Sequence, residues 1–152
     1  MISTPSNDDA DPLALERQVC FALAIASRSV IGLYRPLLEP MGLTHPQYLV
    51  MLALWGRTPL SVKELSGMLA LDPGTLSPLL KRLEAIGYLR RDRAVTDERQ
   101  LAVRLTPTGQ ALREQALAIP AAIVARLGIE VDALVQLHSS LTRVIEAAGE
   151  QP

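Results

Sequence analysis

Residues 60–106 read LSVKELSGMLALDPGTLSPLLKRLEAIGYLRRDRAVTDERQLAVRLT, and this stretch decides the fold. Ser61 and Glu64 have the spacing of a capping box, which opens a short helix to about Leu69. Asp72-Pro73 opens the next helix, with the carboxylate as cap and proline at the first helical position. Gly87 is its stop. Tyr88 to Arg93 and Leu101 to Leu105 read as strands, and in the second Leu101, Val103 and Leu105 alternate with Ala102 and Arg104. The charged stretch AVTDERQ lies between them. Two short capped helices followed by a charged hairpin form a winged helix-turn-helix. That order suits one helix in the DNA major groove with a loop beside it.

Working outward, Thr44-His45-Pro46-Gln47 starts another helix, with Thr44 as cap and Gln47 placed to reach back. It runs through YLVMLALW to about Gly56 and is apolar on nearly every side, which predicts deep burial. Before it, Leu15, Val19, Leu23, Ala26, Val30, Leu33 and Leu37 recur at helical spacing, so a first helix is expected from Leu13 to between Tyr34 and Leu38. Pro36 is expected to bend or end it. After the hairpin, Thr106-Pro107 starts a helix expected to reach about Leu127, kinked at Pro120, and a last helix begins at Glu130. The fold class is therefore mainly α with a small β-hairpin wing.

The composition agrees. Hydrophobic residues are 49% of the 152, but aromatics are 3%, so leucine, alanine, valine and isoleucine must fill the core. The apolar runs are broken by charge or proline, so no membrane segment is expected. The acidic, polar start MISTPSNDDADP lacks the basic, apolar pattern of a signal peptide, and a cytoplasmic protein is expected. Residues 1–12 are expected to be a disordered acidic tail. The net charge is −1, yet its distribution is uneven: Asp8, Asp9, Asp11 and Glu16 precede the first base, whereas nine bases against six acids lie between Arg57 and Arg104. The basic part of the chain coincides with the winged helix-turn-helix.

In the helix after Asp72, Leu76, Leu79, Leu80, Leu83 and Ile86 form one apolar stripe. The other side offers Gly74, Thr75, Ser77, Pro78, Lys81 and Arg82 as DNA-contacting candidates. The hydroxyls permit close approach to bases or phosphates, and the two cations suit phosphate or a guanine edge. An ordinary solvated helix face would look the same in isolation; the flanking helix and hairpin are what point to DNA. The wing tip is read as carrying Arg90, Arg91, Arg93 and Arg99 around Asp92, Asp97 and Glu98. Arg99 is the candidate for the minor groove, with Asp97 holding it by a charge-assisted pair.

From LSVKELSG through D-E-R in the wing to L-T-P-T-G, the sequence resembles the MarR family of transcriptional regulators, from about Leu15 onward. The resemblance implies a homodimer on a near-palindromic double-stranded DNA site. Residues 13–43 and 107–152 would then form the helical dimerisation region, and residues 44–106 the DNA-binding domain. Within that family, QVCFALAIASRSVIGLYRPLLEPMGLTHPQYLVMLALW resembles the organic-hydroperoxide-sensing, OhrR-like branch. This implies that Cys20 is oxidised and the repressor leaves its operator, with Tyr34 and His45 of the partner subunit near the sulfur. His45 stands where the branch usually has tyrosine, and Ala24 where some members have another.

Cys20 can be weighed by its own chemistry. The thiolate is the nucleophile, and the positive end of a helix dipole favours an anion in the first turn. Arg17, one turn earlier, is placed to help. Peroxide attack yields a sulfenic acid. The chain has one cysteine, so the next step is a mixed disulfide with a low-molecular-weight thiol or over-oxidation, not an internal disulfide. A lone cysteine in an apolar helix is also an ordinary small core residue. His45 and His138 are far apart without ligand-spaced partners, so neither a metal nor another cofactor is expected. Tyr48 and Trp55 read as core. Paired catalytic carboxylates, a nucleophile elbow and a phosphate loop are missing from the sequence, which argues against an enzyme. The alternative within the family is a regulator released by a small aromatic or lipophilic ligand.

Overall fold

The computed structural model describes residues 11–15, 18–93 and 101–149. The acidic segment 1–10, Arg17, and the wing candidates Asp97 and Arg99 lie outside them. The elements run α1 (Val19–Leu38), a 3-10 turn (Glu39–Met41), α2 (His45–Gly56), β1 (Leu60–Ser61), α3 (Val62–Leu69) and α4 (Pro73–Ile86). They continue through β2 (Leu89–Arg93), β3 (Leu101–Leu105), α5 (Pro107–Ala116), α6 (Ile119–Leu127) and α7 (Val131–Gly149).

Local chemistry sets most of these limits. Both capping boxes form: Thr44 accepts from the Gln47 amide, Ser61 from the Glu64 amide, and each third residue reaches back to the cap N–H. Asp72 caps α4, and Gly87 ends it at φ 96° with the Tyr88 amide on the Leu83 carbonyl. Between α3 and α4 the chain reverses at Ala70, which sits at φ 53° and ψ 41°. An L-residue with a Cβ is disfavoured there by about 1 kcal/mol. Ala70→Gly is therefore expected to stabilise the fold by about 0.5 kcal/mol or more, after the extra freedom glycine gives the unfolded chain. A thermal melt that fails to rise by a degree or two would count against a strained turn.

Two expectations are corrected. The first helix begins at Val19 rather than Leu13. A turn precedes it, in which the Leu13 amide donates to Asp11 Oδ1 and the Gln18 side chain donates back to the Pro12 carbonyl. The helix after the hairpin is broken rather than kinked. Pro120 has no N–H for the Ala116 carbonyl, so α5 ends there and proline becomes the second residue of α6. The break lets Ala116, Ile119 and Ile123 all face the core. The stretch Val19–Met41 meets the length and apolar composition of a membrane-crossing helix. Arg28 and Arg35 interrupt it, and its C-terminal half packs on α2 and α6.

The sheet has three antiparallel strands in the order β1-β3-β2, with Leu60 opposite Val103, Leu89 opposite Leu105 and Arg90 opposite Arg104. One hydrophobic cluster joins α2, α3, α4 and the sheet to the ends of α1, α5 and α6, from Leu38 through Met51, Leu65, Leu80 and Val103 to Ile123. Outside it, α7 buries no residue although Val131, Val135, Leu137, Val144 and Ile145 recur along it. Val19, Ile25 and Ile31 of α1 are likewise exposed. Both long helices thus carry large apolar side chains that nothing among the described residues covers.

Candidate nucleic-acid interface and thiol site

The fourth helix buries Leu76, Leu80 and Leu83 against the core and exposes Gly74, Thr75, Ser77, Pro78, Lys81 and Arg82, so all six sequence candidates share its solvent side. Thr75 is not a free hydroxyl: it donates to Asp72 Oδ2 at 3.0 Å while its amide donates to Oδ1 at 2.9 Å. These bonds, the backbone one first, hold the Asp72 carboxyl below its ordinary range. The cap therefore orients the first turn as a unit.

Two residues on this face oppose helix formation. Pro78, well inside α4, has no N–H for the Gly74 carbonyl, and a proline in a helix interior costs about 3 kcal/mol. Gly74, the second residue of the helix, costs less than the roughly 1 kcal/mol of an interior glycine. Its backbone does not need glycine, and a Cβ there would meet only Asp72 Oδ1, at 3.1 Å.

The hairpin differs from the sequence reading. Arg90, Arg91, Asp92 and Arg93 all belong to β2 rather than the tip, with Arg90 and Arg91 on opposite faces of the strand. Arg91 turns back to α4: its side chain reaches Glu84 Oε1 at 3.2 Å and its amide donates to Oε2 at 3.0 Å. The guanidinium first, then the amide, hold the Glu84 carboxyl below its usual range. This clamp ties wing to helix and has no motif in the sequence; its one trace is an acid three residues before the helix-ending Gly87. On the other face Asp92 lies 3.1 Å from Arg90 and 3.8 Å from Arg104, and the latter is brought there by strand register. Both pairs are exposed, so each contributes at most about 1 kcal/mol.

Cys20 is the second residue of α1 and is exposed. The Gln18 side chain leaves that helix end uncapped, and Val19, Cys20 and Phe21 bring no acid to it. The dipole there stays available to an anion. Tyr34 and His45 do come together, their rings edge to face with centroids 4.8 Å apart, and Tyr48 follows at 5.8 Å from Tyr34. Burial pushes the His45 imidazole below its ordinary value, which keeps it neutral at pH 7. Cys20 does not join this group. Fourteen residues of continuous helix separate it from Tyr34, a rise of about 21 Å. A sulfur at residue 20 can meet this aromatic pair only on another copy of the chain.

Two cavities of about 280 Å³ flank α2. One lies between α1 and the start of α2, beside Arg35, Thr44 and His45. The other is lined by Tyr48, Leu52, Trp55, Arg113, Leu117 and Pro120. Tyr48 is core, as read from sequence, and burial raises the pKa of its phenol. Trp55 is only half-buried, with its indole N–H on the Gly109 carbonyl at 2.9 Å. His138 is exposed on α7.

The sequence and fold are similar to those of transcriptional regulators. Residues 32–115 match the family described as transcriptional regulator SarA/Rot. The chain is 41% identical over 141 residues to the organic hydroperoxide resistance transcriptional regulator of Bacillus subtilis, covering 93% of this chain and 96% of that one. It is similar in structure to reduced AbfR bound to DNA, a protein of Staphylococcus epidermidis, with a TM-score of 0.74 and 34% identity over 90% of this chain and 95% of the other. Overoxidized AbfR bound to DNA is similar at a TM-score of 0.72, with 34% identity over 88% and 94%. Family match, sequence identity and a fold shared with relatives solved on DNA make this a DNA-binding transcriptional regulator, and the chain belongs to the SarA/Rot-type MarR family of winged-helix regulators.

Proposed function

We propose that the protein is a homodimeric repressor that senses organic hydroperoxides through Cys20 and then releases its operator. The observation that carries this reading is an exposed thiol at the uncapped start of α1, in a chain so similar to a hydroperoxide-resistance regulator. The thiolate attacks the peroxide O–O bond; sulfur takes one oxygen as sulfenic acid, and the other leaves as an alkoxide that is protonated to the alcohol. A low-molecular-weight thiol then condenses with the sulfenic acid, giving a mixed disulfide and water. The oxidation is stoichiometric, so the protein is a regulator and not an enzyme.

The uncovered apolar side chains of α1 and α7 supply the dimer surface in this reading, which would bring Cys20 of one subunit to Tyr34 and His45 of the other. A new polar group at that seam changes the separation of two reading helices that must stand about 34 Å apart on B-DNA. Gly74, Thr75, Ser77, Pro78, Lys81 and Arg82 face the major groove in this reading, and Arg99, supported by Asp97, the minor groove. Such a repressor works in the cytoplasm, with the chromosome.

One equivalent of cumene hydroperoxide per subunit should give a sulfenic or thiol-adduct mass on Cys20 in proportion to operator release followed by fluorescence anisotropy. Release with Cys20 unmodified would overturn the proposal and favour a ligand-released regulator. The two cavities support that second reading, although about 280 Å³ lies at the lower edge of small-molecule sites.

A further inference from the structure

On a 3.6-residue wheel, Gly74, Pro78, Lys81 and Ala85 lie opposite the buried Leu76, Leu80 and Leu83, so they form the outermost ridge of α4. The first two turns of that ridge carry no side-chain hydrogen-bonding group, because its members there are a glycine and a proline. Pro78 weakens the helix, and no packing at its exposed position calls for it; Gly74 leaves the capping Asp72 Oδ1 uncrowded, where a Cβ would approach it to 3.1 Å. Residues kept against local preference are expected where they serve recognition.

A pyrrolidine ring neither donates nor accepts hydrogen bonds. In the major groove the one apolar feature that marks a base pair is the thymine 5-methyl group. We propose that Pro78 reads a thymine in each operator half-site, its ring seated on the 5-methyl, with Gly74 leaving room for the approach. The inference rests on α4 being the helix in the groove. Thr75, Ser77 and Lys81 then serve the flanking positions through hydrogen bonds, and the methyl contact sets the identity of one pair.

Replacing thymine by deoxyuridine removes that methyl and nothing else. The full-length protein is used to select a binding site from random duplex DNA, and each thymine of the selected site is then exchanged for deoxyuridine, symmetrically in both half-sites. One exchange should weaken binding about fourfold per half-site, the value of one buried methyl, or about fifteenfold for the dimer. Pro78→Ser, its folding checked by thermal melt, should bind the thymine and deoxyuridine sites within about twofold of each other. A wild-type protein indifferent to every exchange overturns the proposal, with no variant required. So does a selected site without thymine, or a Pro78→Ser protein that keeps the discrimination. Lys81→Ala and Arg82→Ala separate the two levels. If they weaken binding and flatten its salt dependence while deoxyuridine has no effect, α4 lies in the groove and the Pro78 contact alone fails. If they too change nothing, the helix assignment itself fails.

Discussion

Cys20→Ser should bind the operator within about twofold of the wild-type protein and ignore organic hydroperoxide. The wild type should lose at least about tenfold in affinity on oxidation, within the usual span of coupling between two sites. The substitution is close to isosteric and the position is exposed, so folding and α4 are untouched. What is lost is the nucleophile: a serine hydroxyl does not open a peroxide bond at neutral pH. Anisotropy on one operator duplex, with and without cumene hydroperoxide, measures both halves of the expectation. If the serine protein releases DNA as readily as the wild type, the switch lies elsewhere, with the cavities beside α2 the first places to look. Tyr34→Phe and His45→Phe are informative companions, because they remove hydrogen-bond donors near the sulfur only in a dimer that joins the two ends of α1.

Gly109→Ala should destabilise the fold by about 3 kcal/mol, the upper end of ordinary overpacking. A Cβ at this residue would lie 1.9 Å from the Tyr88 carbonyl oxygen and 2.9 Å from the carbon, and backbone cannot swing aside as a side chain does. The site is a junction. The Gly109 amide donates to Thr106 Oγ1 at 3.1 Å, its carbonyl accepts from Trp55, and the Thr106 amide donates to the Tyr88 carbonyl. The start of α5 is thereby pinned to α2 and to the turn that leaves α4. A chain of this size should melt roughly 10 °C lower. An unchanged melting temperature would mean that α5 can shift away freely, and the pinning would then have no energetic weight.

The residues around Gly109 show where sequence and structure part. L-T-P-T-G announced a capped helix start, and Thr106 does accept from the Gly109 amide. That the last residue must be glycine is not a local matter, since its φ is unremarkable; the obstacle is Tyr88, twenty-one residues earlier. The DNA-facing candidates on α4 were legible because one face of that helix is apolar and the other is not. The clamp from Glu84 to Arg91 was not legible, because it depends on how β2 leaves the turn at Gly87. Arg90 and Arg91 were read as tip residues for the same reason: charge marks a hairpin, and only strand pairing places each residue along it.

By itself the sequence determined the helix starts at Thr44, Ser61, Asp72 and Thr106, the stop at Gly87, and the buried stripe of Leu76, Leu80 and Leu83 on α4, although Ile86, read into the same stripe, is exposed. Each depends on hydrogen bonds or side-chain spacing within one or two turns of chain. Tertiary structure decided the pairing of β1 with β3, the approach of Gly109 to the Tyr88 carbonyl and the Tyr34–His45 contact. Those features come from segments distant in sequence competing for one core. Their outcome follows from packing and register, which no short window of residues contains.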